Sequence, residues 1–314
     1  MTGQQKADRA LLKLGASLLG SNYRFITPTP LTHERFLERY RAPLARDLRD
    51  VFGWSMPFTS ELFSHTALDA LEQAGIIEKN GDLWRSVVRW SSLNELLFVH
   101  SAYPTLQNDS VFFGPDTYRF AQAIRTLLQQ RFEPIKRAVD IGCGAGVGAV
   151  IIAQARHEAD VLAVDINPRA VRLTAVNAEL AGTLNVTAYH SDLLNSVEGQ
   201  FDLIVANPPY MNDHQQRAYR HGGGALGEAL SVRIVRESLP RLEEGGTLLL
   251  YTGVAMVAAG DPFLAALKPL LSGDHFSWTY HETDPDVFGE ELLKPGYESV
   301  ERIAVVVLTV TRVP

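Results

Sequence analysis

Ala138-Val-Asp-Ile-Gly-Cys-Gly-Ala-Gly-Val-Gly148 decides the fold of this chain. An apolar strand ends in glycines and runs into a second apolar stretch, 149–155, with helical character. Glycines let the backbone turn tightly and approach a ligand closely. The helix predicted after them opens with free N–H groups near the same point. Next comes Val161-Leu-Ala-Val-Asp165, a second strand ending in an acid, and Asn167-Pro-Arg-Ala170 reads as a helix start. Asp165 lies 19 residues beyond Gly146, at the strand tip where a carboxylate accepts hydrogen bonds from a ribose diol. A third strand is predicted over 185–190, ending before Ser191-Asp192. The series is a nucleoside-binding α/β plan with its ligands at the carboxyl ends of the strands.

Gly144, Gly146 and Ala149 also fit the G-x-G-x-x-A pattern of dinucleotide sites. Two features oppose that reading. Asp140 precedes the glycines, where a carboxylate would face a pyrophosphate but would suit an ammonium group. A nicotinamide site also leaves Asn207-Pro-Pro-Tyr210 unexplained, which directly follows the apolar run Phe201-Asp-Leu-Ile-Val-Ala206. Asn207 offers an amide donor and a carbonyl acceptor. Pro208 and Pro209 hold the backbone extended and remove two N–H donors, so the loop presents carbonyl oxygens. Tyr210 supplies a flat face. The tetrapeptide reads as a clamp for a planar nitrogen, its hydrogens given to Asn207 and the Pro208 carbonyl and its π system set against Tyr210.

Asp140-Ile-Gly-Cys-Gly-Ala-Gly146, Asp165-Ile-Asn-Pro-Arg-Ala170, Asn177, Asp192 and Asn207-Pro-Pro-Tyr210 together resemble the class I S-adenosylmethionine (SAM)-dependent methyltransferases. More narrowly they resemble the small methyltransferase domain branch. That branch includes the release-factor glutamine methyltransferases (HemK-like) and adenine- and guanine-N methyltransferases. The resemblance implies a Rossmann-like seven-stranded sheet whose last strand is antiparallel, with SAM as cofactor. By the same resemblance, Asp140, Gly142, Gly144 and Gly146 hold the methionine part, Asp165 takes the ribose hydroxyls and Asp192 meets the adenine amino group. Asn207 would face both cofactor and acceptor, with Pro208 and Tyr210 beside it as catalytic residues. The implied acceptor is a protein glutamine amide or a nucleobase amine of RNA or DNA. A small-molecule biosynthetic enzyme, or a SAM-binding protein without catalysis, stays open.

A chain of 314 residues suggests two domains, expected at 1–110 and 111–314. It is 46% hydrophobic and 21% charged, an ordinary globular composition. No apolar stretch reaches the roughly 18 residues of a membrane span, and the polar N-terminus lacks the apolar segment of a signal peptide. The one cysteine, Cys143, permits no internal disulfide and fits a reducing cytoplasm. Inside the glycine turn it reads as a small packing residue. Net charge is −7, which opposes general nucleic-acid binding. Residues 1–50 alone carry a balance of +4, as a solvated surface or as a contact face for RNA or protein.

The first 110 residues read as helices followed by a small hairpin, a winged-helix-like plan. A helix is expected over 4–19, a second capped by Thr32 and running to about Arg46, and a third over 64–74 stopped by Gly75. The hairpin joins 76–79 to a single strand over 84–90 through Asn80-Gly81. The segment 111–120 resembles the family's cover over the cofactor pocket, and an apolar helix over 118–132 follows it. After the clamp, 211–226 is polar, basic and ends in Gly222-Gly-Gly224, as a loop closing over substrate would. His214 and His221 lack metal-ligand spacing, so no metal site is expected. Helices over 230–239 and 263–271 and strands over 246–252, 276–281 and 303–311 complete the sheet. The stretch 284–297 reads as an insertion near its edge.

Overall fold

The computed structural model describes residues 2–39, 44–131, 133–212 and 220–313. It opens with α1 (Gly3–Gly20), whose first turn is closed by a reciprocal Thr2–Gln5 capping box. Helix α2 spans Pro30–Arg39. Its cap is Thr29, whose hydroxyl accepts from Thr32 N–H at 3.2 Å. The cap therefore lies three residues before the Thr32 expected from the sequence, because Pro30 takes the first helical position without losing a needed donor. The expected continuation toward Arg46 crosses 40–43, outside the described residues. Helix α3 (Leu48–Phe52) and α4 (His65–Gln73) follow. Ser64 caps α4 and Gly75 ends its turn at φ +64°.

Two hairpins come next, where the sequence predicts one. Strands β1 (Ile77–Asn80) and β2 (Leu83–Ser86) form the first; β3 (Val88–Leu93) and β4 (Leu96–Ser101) form the second. The strand expected over 84–90 breaks at Ser86. Its hydroxyl donates to the Val88 carbonyl at 2.7 Å and accepts from the Val88 N–H at 3.2 Å. That local bonding competes with ladder pairing and turns the chain. Asn94, at φ +55°, makes the second turn, a conformation asparagine tolerates.

The remainder is α5 (Pro115–Gln130), β5 (Arg137–Ile141), α6 (Val147–Ala155), β6 (Asp160–Asp165), α7 (Pro168–Leu180), β7 (Val186–His190), β8 (Phe201–Ala206), α8 (Ala229–Ser238), β9 (Leu242–Val257), α9 (Pro262–Leu267), β10 (Phe276–Asp284) and β11 (Val300–Arg312). Seven strands form one sheet in the order β10-β11-β9-β8-β5-β6-β7. Strands β5 to β9 are parallel, and β11 runs antiparallel to both β9 and β10. This is the Rossmann-like sheet with an antiparallel last strand that the resemblance implies. The order reverses between β5 and β8, where an open α/β sheet leaves a crevice for ligands.

Both sheet faces are apolar, as parallel strands covered by helices must be. Side chains alternate along each strand. Leu203 and Val205 of β8 and Leu249 and Tyr251 of β9 enter one core, while Ile204, Ala206, Leu248 and Leu250 enter the other. The first core also holds Leu11, Phe52, Trp90 and Phe98 from the N-terminal elements, so it runs from α1 to β11 without a break. Asn177 of α7 joins the two parts. Its Oδ1 accepts from Val99 N–H at 2.8 Å, and its Nδ2 donates to the Val99 and Ala145 carbonyls at 3.0 and 2.9 Å. One buried side chain thus ties β4 to the loop after β5. No helix among the described residues is long and apolar enough to cross a membrane.

Candidate active site

The crevice at the reversal point opens into a cavity of about 430 Å³, within the size range of small-molecule sites. Its floor is the loop after β5. Gly142, Gly144 and Gly146 have φ of +67°, +55° and +79°, a left-handed series closed to most side chains. A Cβ on Gly142 or Gly144 would point into open space, so bare backbone lines the floor and a side chain would fill the cradle.

Asp165 stands at the tip of β6 and lines the cavity. Its Oδ2 accepts from Gly144 N–H and its Oδ1 from Asn167 N–H, both at 2.9 Å. Burial raises its pKa, and those two N–H groups oppose the rise. Each oxygen keeps lone-pair capacity for a ligand hydroxyl. Asp192 also lines the cavity, and Arg233 of α8 grips it through two parallel hydrogen bonds of 3.0 Å. The carboxylate expected to meet an adenine amino group is thereby oriented by a fixed fork.

Asp140 is placed differently from the expectation. It is 1% exposed and is not part of the cavity lining. Its Oδ2 accepts from Ala149 N–H at 3.0 Å, at the start of α6. A Cβ on Gly148 would lie 2.6 Å from that carboxylate. Burial pushes Asp140 up to about 7, against the hydrogen bonds from the Ala149 and Gly148 N–H groups and with the added push of Asp165. The structure shows a carboxylate that ties the strand tip to the helix start behind the loop. Gly146 likewise caps α6 from behind, against Thr174. Cys143 is buried beside Thr174, its Sγ 3.3 Å from the hydroxyl, and burial pushes its thiol well above the usual range.

Opposite the loop, Asn207, Pro208, Pro209 and Tyr210 leave the end of β8 and line the same cavity. Among the described residues nothing hydrogen-bonds the Asn207 amide or the Pro208 carbonyl. Tyr210 is held firmly. Its hydroxyl donates to Asp116 Oδ2 at 2.6 Å, and Tyr251 of β9 donates to Asp116 Oδ1 at 2.9 Å. Its ring lies on Gly253, where a Cβ would sit 2.1 Å from the ring. Asp116 is 4% exposed. Burial raises its pKa, the two tyrosine hydroxyls lower it, and Arg119 lowers it further. Arg119 also pairs with Asp284 at 2.8 Å.

Several of these residues escaped the sequence reading. Asp116 follows Gly114-Pro115, a combination that reads as punctuation of a helix start. Arg233 looks like one charge on an amphipathic helix. Phe288, in the stretch 284–297, lines the cavity at φ +54°, and no local signal marks it. Pro30 and Phe112 bring the first 112 residues to the cavity wall. In the loop after the clamp, Arg220 forms an ion pair with Glu291 at 2.5 Å. His214 and Arg217 lie outside the described residues. No group of His, Cys, Asp and Glu among the described residues is arranged to hold a metal ion.

Residues 117–256 match the family model described as the methyltransferase small domain. A protein of Methanocaldococcus jannaschii assigned as a protein N5-glutamine methyltransferase is 33% identical over 163 residues, covering 50% of this chain and 81% of that protein. The release factor glutamine methyltransferase of Escherichia coli K12 is 34% identical over 129 residues, 37% of this chain and 46% of that one. The ribosomal RNA small subunit methyltransferase C of Chromohalobacter salexigens is 37% identical over 116 residues, 37% of this chain and 31% of that one. The match thus spans most of the first relative and less than half of the other two.

Proposed function

The chain belongs to the methyltransferase small domain family of SAM-dependent enzymes, and from that premise we propose that it methylates a planar nitrogen, in first place the side-chain amide of a protein glutamine. One observation supports the choice of nitrogen: the Asn207 amide and the Pro208 carbonyl line the cavity with no hydrogen-bond partner among the described residues, beside a Tyr210 bonded to Asp116.

When bound, SAM supplies a methyl group activated on a sulfonium. We assign its ribose to Asp165, its adenine end to Asp192, and its methionine part to the bare backbone of Gly142 and Gly144, which Asp140 and Gly146 hold in shape. An amide is a poor nucleophile because its lone pair is delocalised. Asn207 Oδ1 and the Pro208 carbonyl accept its two hydrogens and so turn the nitrogen toward the cofactor. The same two oxygens stabilise positive charge growing on nitrogen in the transition state. Orientation of this kind supplies about 7–11 kcal/mol of barrier reduction. The proton leaves after transfer, so no dedicated base is required. The segment 1–110 serves as the acceptor-facing cover of a catalytic unit, 111–314, acting in the cytoplasm.

The test is incubation with tritiated SAM and fractionated protein, RNA, DNA and metabolites from a host lacking the gene. Label in a protein fraction, recovered after hydrolysis as a methylated glutamine, is expected. Label confined to nucleic acid moves the acceptor to a nucleobase amine, and label confined to metabolites rejects both macromolecular acceptors. A net charge of −7 favours protein over nucleic acid.

A further inference from the structure

The stretch 284–297 carries one strained residue and fixes it from several sides. Phe288 stands at φ +54° and ψ +40°, a conformation that a bulky side chain rarely adopts. Gly289 beside it, which could take that conformation freely, is not left-handed. Val287 N–H donates to the Ile303 carbonyl at 2.8 Å. Asp284 pairs with Arg119 at 2.8 Å. Glu291, 4% exposed, pairs with Arg220 at 2.5 Å and with Lys294 at 2.6 Å. The Tyr297 hydroxyl accepts from Asn212 N–H at 2.9 Å. Backbone strain persists where surrounding contacts over-determine it, and it clusters at sites that hold ligands.

The strained residue reaches the reaction chamber. Phe288 lines the large cavity and also packs against the first core. Its ring centroid lies 6.3 Å from that of Tyr210, with the two planes at 59°. The rings therefore make a corner rather than a parallel slot. A nucleobase held between two rings needs their planes parallel and about 7 Å apart, twice the contact distance of stacked atoms. Tyr210 is bonded to Asp116 at 2.6 Å, and the contacts of 284–297 hold Phe288, so the corner is fixed from both sides. A flat amide on an aliphatic stem suits such a corner. The amide lies on one ring, and the methylene groups cover the other and leave water.

We propose that Phe288 selects the methyl acceptor. With Tyr210 it forms an aromatic corner that takes the amide and methylene stem of a glutamine side chain and turns away a stacked nucleobase. The inference rests on the methyl-transfer reading and deepens it: Asn207 and the Pro208 carbonyl hold the amide hydrogens, and Phe288 holds the stem.

The experiment uses crystals of the full chain with sinefungin, a SAM analogue that has no methyl group to transfer. They are soaked in N-acetylglutamine methylamide or in adenosine at equal concentration. The glutamine probe is expected in the corner, its stem on Phe288. An empty corner, or adenosine stacked against both rings, overturns the proposal. Sinefungin missing from the large cavity would instead sink the cofactor reading, so the two fail separately. In solution, Phe288→Ala and Phe288→Gly are expected to raise KM for the protein fraction labelled by the parent about tenfold or more, with kcat changed less and SAM affinity kept. Phe288→Tyr restores KM. The Gly variant is expected to melt above the Ala variant, because only glycine relieves the left-handed backbone. An unchanged KM in both variants, or a loss that follows melting temperature rather than the ring, overturns the assignment. If the variants fail to fold, the soaked crystals of the parent decide.

Discussion

At the scale of single residues, two carboxyl-like groups of similar size have opposite roles. Asn207 faces the cavity with its amide open, and Asp140 faces inward with its oxygen occupied by the start of α6. Asn207→Ala is expected to keep SAM affinity within a few-fold and to lower kcat by roughly 10²-fold or more, read by calorimetry beside single-turnover kinetics. An equal loss of SAM binding would show that Asn207 acts on the cofactor alone. Asp140 carries a pH signature. Its pKa rises to about 7 in the native state because it is buried, while the unfolded chain releases that proton near 4. Between these values the native state binds more protons than the unfolded one. The contribution of Asp140 to stability is therefore fullest below about pH 4 and is lost as pH rises through about 7, by on the order of a few kcal/mol. Denaturant midpoints across pH 4–8 check this, and Asp140→Asn should flatten the curve. A variant with the same slope as the parent removes Asp140 as its source.

At the scale of elements, the tyrosine of the clamp is set by strand β9. Gly253 gives its ring room, and Tyr251 of the same strand shares Asp116 with it. Gly253→Ala places a methyl group inside the ring's volume, and the ring must leave Asp116. Overpacking of this kind costs about 1–3 kcal/mol. Turnover should fall more steeply than SAM affinity, because the acceptor platform moves while the glycine loop after β5 stays. A crystal structure of the variant with Tyr210 still bonded to Asp116 would refute the account. The candidate site residues gather at the carboxyl ends of β5, β6 and β8: the glycine loop follows β5, Asp165 closes β6 and Asn207 follows β8. That arrangement follows from parallel pairing, and parallel pairing follows from the helices that connect the strands.

At the scale of the whole molecule, the N-terminal elements and the sheet share one core, and Asn177 stitches them. Asn177→Ala leaves two carbonyls and one N–H buried without partners, each at a cost of about 1–3 kcal/mol. The expected outcome is a single unfolding transition shifted to lower denaturant. Two separate transitions, or a loss below roughly 1 kcal/mol, would mean that the parts are not coupled through this residue.

Much of this was legible along the chain because it depends on neighbours. A run of Val, Ile and Leu ending in glycines or an acid declares a buried strand and its tip. Asn207-Pro-Pro-Tyr210 declares an extended turn with open carbonyls. The order of these pieces carried the resemblance that implied the seven-stranded sheet and its antiparallel last strand, which the structure has. Residues that meet only across the fold were not legible. Asp116 finds Tyr210 and Tyr251 from 94 and 135 positions away. Arg233 finds Asp192 from 41 positions away, and Phe288 reaches the cavity from an insertion with no periodicity. Asp140 looked like a ligand group because the sequence shows its type and place, whereas the direction of its side chain depends on which helix start lies behind the strand. Local pattern is written in hydrophobic period and backbone preference, which act between near neighbours. The partner of a buried charge is chosen by packing, and packing exists only once the strands have closed.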